Sequence, residues 1–174
     1  FNDAKIIGDA IKKDLEQNHE FLNIYGYILF RLENYEDAIK LYKKILKIKS
    51  DYVFPLNNLA NIYSKLNKFD DAIKYFNQAL KLKSDYFEAS YGLSDVYYKM
   101  QNYDNALSYL NKSIQLKPGY LPPVKSKLHL LKVMKKKQDI LKFLNDMIIQ
   151  FPDDASFYSE KALVLSDLGK ETEA

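Results

Sequence analysis

A chain of 174 residues, 47% hydrophobic and 28% charged, has the apolar material for a core and the charge for a wet surface, which excludes a disordered polymer. It contains no Cys, which excludes a disulfide framework, a thiol nucleophile and a thiolate metal site, and no apolar run near the roughly 20 residues that span a bilayer. A net charge of +3 is too small to signal nucleic acid by itself, and of the 26 basic residues all but Arg31 are Lys, a bias that AT-rich codons favour.

Apolar columns recur every 34 residues: Ala38, Ala72 and Ala106; Tyr35, Phe69 and Tyr103; Leu46, Leu80 and Ile114; Tyr52, Tyr86 and Tyr120. In chain order, residues 1–18 are predicted to be the second helix of a preceding unit, because Ala4 lies one period before Ala38. Residues 19–52, 53–86 and 87–120 are three full units. In the second of these, Leu56, Leu59, Ala60 and Tyr63 follow the spacing of an amphipathic helix. Asn67-Lys68 interrupt it, and Ala72, Phe76, Ala79 and Leu80 repeat the spacing on a second helix that opens at Asp70-Asp71, where acids suit the helix dipole. Ser50-Asp51, Ser84-Asp85, Pro118-Gly119 and Pro152-Asp153 punctuate the joints. Residues 121–154 are a fourth, divergent unit, and residues 155–174, with Tyr158, Ala162 and Leu165, begin a fifth. The chain thus reads as one array of half a unit, four units and half a unit, a slice of something longer.

These residues resemble the tetratricopeptide repeat family, on Leu56, Leu59, Ala60, Tyr63, Ala72, Phe76 and Ala79 in one unit, Leu93, Ser94, Tyr97, Ala106, Leu110, Ser113 and Pro118 in the next, and Leu22, Tyr25, Gly26, Leu29, Ala38 and Tyr42 in the one before. The resemblance covers essentially the whole chain. It implies an all-α solenoid, a right-handed superhelix of stacked antiparallel helix pairs with one continuous core. Small residues are wanted where the helices of a pair come closest. The fourth unit departs there, with Leu128 and Ile140 in those places and Lys127 where Leu is expected, so its helices are expected to splay or shift.

The inventory for catalysis is thin. His19 and His129 lie about three units apart, too far to share a metal, and the pairs Glu36-Asp37, Asp70-Asp71 and Asp153-Asp154 fall at helix starts, where dipole electrostatics explains them. No Gly-rich phosphate loop occurs. The reading is a binding scaffold and not an enzyme, with no cofactor and no metal site.

In the resembled family the first helix of each pair lines a concave groove. Carried over by register, the candidate partner-binding residues are Tyr27, Asn57, Asn58, Asn61, Tyr91, Asp95, Tyr98, Lys125 and His129. Asn57, Asn58 and Asn61 are expected to converge on one helix face, where amides donate to and accept from a peptide, while Tyr adds a flat body with a polar tip. The expected partner is a peptide or helix of another protein. The carboxylate clamp of the chaperone-binding members is absent, since Asn23, Tyr27, Glu88 and Gly92 stand where it wants Lys, Asn, Lys and Arg. The alternative is a substrate-docking or oligomerisation arm of a larger enzyme, such as a glycosyltransferase.

A rival surface is basic. From Lys112 to Lys142 there are nine Lys and only Asp139 as an acid, and Lys132, Lys135, Lys136 and Lys137 form its centre, a patch for an acidic partner, with nucleic acid ranked behind acidic protein because interleaved aromatics are sparse. Self-association through the array ends is a further expectation. Compartment stays open, with the cytoplasm slightly favoured.

Overall fold

The structure, a computed structural model, describes residues 18–169 together with Lys5; apart from Lys5 and Asn18, the helix predicted over 1–18 lies outside the described residues, as does the chain end at Ala174. Among the described residues the secondary structure is all helical: α1 (His19–Arg31), α2 (Tyr35–Ile48), α3 (Val53–Lys65), α4 (Phe69–Leu82), α5 (Phe87–Lys99), α6 (Tyr103–Leu116), α7 (Leu121–Val133), α8 (Lys137–Gln150) and α9 (Ala155–Asp167). First helices start at His19, Val53, Phe87, Leu121 and Ala155, and second helices at Tyr35, Phe69, Tyr103 and Lys137, so both series keep the 34-residue step of the apolar columns. No described helix is long and apolar enough to cross a membrane. The architecture is an all-α solenoid of helix pairs.

The turn inside each pair has one geometry. Glu33, Asn67, Gln101 and Lys135 all adopt the left-handed conformation, with φ of 60°, 56°, 59° and 55°. That reversal lets the next N–H reach back to the helix it leaves: Asn34 donates to the Leu29 carbonyl at 2.9 Å, Lys68 to Tyr63 at 2.9 Å, Asn102 to Tyr97 at 2.9 Å and Lys136 to Leu131 at 3.1 Å. Carbonyls otherwise orphaned at the helix end are satisfied in this way. Asn34 then caps α2, its side chain accepting from Asp37 N–H, and Asn102 caps α6 through Asn105 N–H. None of the four turn residues is Gly, and only Asn67 belongs to a type at home in this region. Gln101→Gly is therefore expected to raise stability by ~0.5–1 kcal/mol, read as a higher urea midpoint with unchanged helical circular dichroism.

The fold groups into two compact units divided between Lys117 and Pro118. In the first unit, Ala38, Ala72 and Ala106 have no exposed surface and let the helices of each pair approach closely, while Tyr42 and Phe76 fill the space beside them, also fully buried. Tyr63 stacks on Tyr75 with ring centroids 5.5 Å apart, and Tyr97 on Tyr109 at the same separation. The core continues through Leu22, Ile45, Leu59, Ile62, Leu93 and Val96.

In the second unit, Leu128 and Ile140 occupy the places held elsewhere by small residues, and both are buried. Their bulk loosens the pair, so α7 and α8 approach each other over less of their length than the other pairs do. Lys127 stands in an apolar column with its ammonium 4.3 Å from the centroid of Phe143. Its burial pushes its pKa down, against the opposing pull of Asp146 and Asp139. The aliphatic stem supplies the packing of the expected Leu, and the ring face accepts the charge.

Candidate partner-binding groove

Helices α1, α3 and α5 carry the candidate residues of the first unit. On α1, Tyr27 is 43% exposed, and the Arg31 guanidinium donates to its hydroxyl at 3.0 Å while lying 5.8 Å from its ring centroid. On α3, Asn58 donates through Nδ2 to Asn23 Oδ1 at 3.3 Å, so that an amide pair bridges two successive first helices. Asn58 also lies close to the Tyr42 hydroxyl, without meeting hydrogen-bond geometry. Burial holds the Tyr42 pKa well above the ordinary phenol range, and the nearby amide offsets only part of that shift. Asn61 is half-buried like Asn58.

Asn57 departs from the expected trio. Only 8% of it is exposed, and its Oδ1 is sealed from solvent with no hydrogen-bond partner. Successive helix residues point about 100° apart, so Asn57 turns into the packing while Asn58 stays at the surface. The amides available to a partner on this helix are Asn58 and Asn61.

On α5, Asp95 belongs to a closed polar triangle. Lys99 Nζ lies 2.7 Å from Asp95 Oδ2 and 3.0 Å from Ser64 Oγ, and Ser64 Oγ donates to the same Asp95 oxygen at 3.3 Å. The triangle ties α3 to α5 and fixes the carboxylate. Ser64, only 4% exposed, is the member that sequence reasoning missed. Asp95 and Lys99 are one helical turn apart, but Ser64 lies 31 residues before Asp95 and nothing local marks it. Tyr91 and Tyr98 are half-buried on the same helix, and the Tyr98 ring sits 5.9 Å from that of Tyr103. His19, at the start of α1, packs edge-on to Tyr52 with centroids 5.2 Å apart.

In the second unit, Lys125 and His129 are exposed on α7. Two of the four central lysines of the basic run are engaged by residues of α9. Lys132 Nζ meets the Glu160 carboxylate, and Lys137 Nζ donates to the Asp167 carbonyl at 3.1 Å with that residue's carboxylate 3.9 Å away. Lys135 occupies the left-handed turn, and Lys136 follows it as the N-terminal flank of α8.

Two family models, both described as tetratricopeptide repeat, match residues 19–85 and 57–120. No curated protein matches the chain. Among solved structures, a tetratricopeptide repeat protein from Parabacteroides merdae is similar over 95% of this chain at 22% identity and a TM-score of 0.68; the chain spans 65% of that protein's length. A thermophilic tetratricopeptide repeat protein of Thermus thermophilus is similar at 17% identity and a TM-score of 0.74, with 93% of this chain and 89% of that one covered. YrrB, described as a repeat protein with an unusual peptide-binding site, is similar at 20% identity and a TM-score of 0.69, over 92% of this chain and 84% of its own.

Proposed function

Because this chain belongs to the tetratricopeptide repeat family, we propose that it is a non-catalytic scaffold whose first-unit helices α1, α3 and α5 hold a segment of a partner protein. The observation that carries this reading is the Asn58–Asn23 amide pair between successive first helices. Each amide keeps donor or acceptor capacity beyond that one bond, which suits a peptide main chain with free N–H and C=O groups. Tyr27 on α1 and Tyr91 and Tyr98 on α5, the helices packed on either side of α3, add apolar bodies that lose little rotamer entropy on binding. Asn61 extends the amide surface by one turn, Asp95 offers a carboxylate acceptor held in place and charge-paired by Lys99, and Asn57 backs the site from the interior. That YrrB, similar in fold, is described as having a peptide-binding site supports a peptide as the kind of partner. The lysines of the second unit are the weaker candidate for a partner surface, because Glu160 and Asp167 engage Lys132 and Lys137.

Selection of a phage-displayed 12-residue peptide library on the protein, followed by calorimetric titration of the selected peptides, tests the proposal. Asn58→Ala with Asn61→Ala is expected to weaken those peptides about tenfold, equivalent to ~1.4 kcal/mol, with helicity and melting nearly unchanged. Peptides that bind the double variant as tightly as the parent would place the partner elsewhere.

A further inference from the structure

A second surface of the first unit lies at the C-terminal ends of the second helices. The chain there reads Lys47-Ile48-Lys49 at the end of α2 and Lys81-Leu82-Lys83 at the end of α4, one period apart. The central residue of each triplet is unusually open for an aliphatic side chain, with Ile48 54% and Leu82 48% exposed. Between the two helix ends is a cavity of about 480 Å³. Leu46, Leu56 and Leu82 line it together with Ser50, Gln78 and Lys81.

The charge at these two helix ends is one-sided. Lys81 lines the cavity, Lys44, Lys47, Lys49 and Lys83 belong to the same two helix ends against Asp51 and Asp85 at the joints, and among the described residues no ion pair engages these five lysines. Two of the five are also held in place. Lys49 Nζ lies 5.3 Å from the centroid of Tyr52, and Lys83 Nζ lies 5.6 Å from that of Tyr86. An ammonium resting on a ring has already lost part of its side-chain freedom, so less is lost when an anion meets it. The negative poles of two helix C-termini are pre-neutralised by the same lysines.

We infer that this edge is a second docking site, separate from the groove, for an acidic segment of a partner protein that places one apolar side chain in the cavity while its carboxylates meet Lys47, Lys49, Lys81 and Lys83. Charge complementarity selects the acidic partner. The concave, apolar-walled cavity selects a protruding side chain over a flat lipid surface, since a bilayer would meet the lysines and leave the cavity unfilled. The two Lys-apolar-Lys triplets repeat at the period of the fold, so a segment that runs from one helix end to the next finds the same chemistry twice.

The probe is a synthetic fluorescein-labelled 14-residue peptide of Glu, Asp and Ser with one central Trp, compared with the same peptide carrying Ser for Trp. Anisotropy titration of the full chain is expected to give binding to the Trp peptide at least fivefold tighter than to the Ser peptide. Lys47→Glu with Lys81→Glu, both exposed and in no ion pair among the described residues, is expected to weaken it at least tenfold while circular dichroism stays unchanged. Methyl NMR of the unsubstituted protein is expected to show peptide-dependent shifts at Leu46, Leu56 and Leu82, and the Asn58→Ala, Asn61→Ala variant should bind this peptide like the parent. Equal affinity for the two peptides, full binding by the charge-reversed variant, or loss of binding in the Asn variant would each overturn the inference. So would co-sedimentation with phosphatidylserine vesicles, lost on charge reversal, in the absence of peptide binding.

Discussion

Gly92→Ala is expected to destabilise the fold by about 3 kcal/mol, at the upper end of what overpacking a tight site costs. A Cβ built on Gly92 would lie 2.2 Å from Phe76 Cζ and 2.4 Å from Cε1, distances at which atoms cannot coexist. The ring cannot swing clear. Phe76 has no exposed surface and is bracketed on α4 by Ala72 and Ala79, which are equally buried. Relief must come from separating α5 from α4, which uncovers the joint between successive pairs. Scaled for a chain of this size, the loss corresponds to a fall of ~6–12 °C in melting temperature. Gly26→Ala should cost less, since its Cβ would meet the Tyr42 ring at 2.7 Å, and Gly119→Ala, which meets nothing within 4 Å, serves as the neutral control. Adding Phe76→Leu to Gly92→Ala should recover part of the loss, because the two residues share one space and their effects are then non-additive. A Gly92→Ala variant that melts with the parent would mean that the joint between these pairs is looser than the Phe76 contact implies.

The parts of the fold that were readable in advance are those set by repetition. Helix starts follow from four apolar columns at one spacing, because a residue at a fixed phase of a helical face has the same neighbours in every pair. What escaped is whatever depends on contact between pairs. Gly92 looks in sequence like a missing groove side chain, and its need for a bare Cα appears only when Phe76 of the preceding pair is placed against it. The Ser64–Asp95–Lys99 triangle is hidden for the same reason, joining two first helices. The left-handed turns carry no local mark either, as Glu33, Gln101 and Lys135 stand where Gly would have announced them. In the second unit, the lysine run is plain in the sequence, but the acids that engage Lys132 and Lys137 come from α9, about 30 residues later.

Asn57 tests how far a register argument reaches, and two substitutions there should act in opposite directions. Its Oδ1 is buried without a partner, a state that costs a folded protein ~1–3 kcal/mol in desolvation. Asn57→Leu removes that oxygen and is expected to raise stability by about 1 kcal/mol, the remainder being lost to imperfect packing of the branched side chain. Asn57→Asp keeps the shape and makes the same position a carboxylate. With so little exposure and no cation paired with it among the described residues, the charged form should cost about 3 kcal/mol at pH 7. The sign with pH follows from that burial. The folded-state pKa of this Asp would be raised above its unfolded value near 4, so the protonated form is favoured in the fold. The penalty is then absent below about pH 4, grows as pH rises through the folded pKa, and is complete above it. Urea midpoints of Asn57→Asp and parent, measured from pH 3.5 to 8, should converge at the acid end and separate steadily toward neutrality. A gap that stays constant with pH would mean that the new carboxylate reaches solvent, and that Asn57 belongs with Asn58 and Asn61 on the open face of the groove.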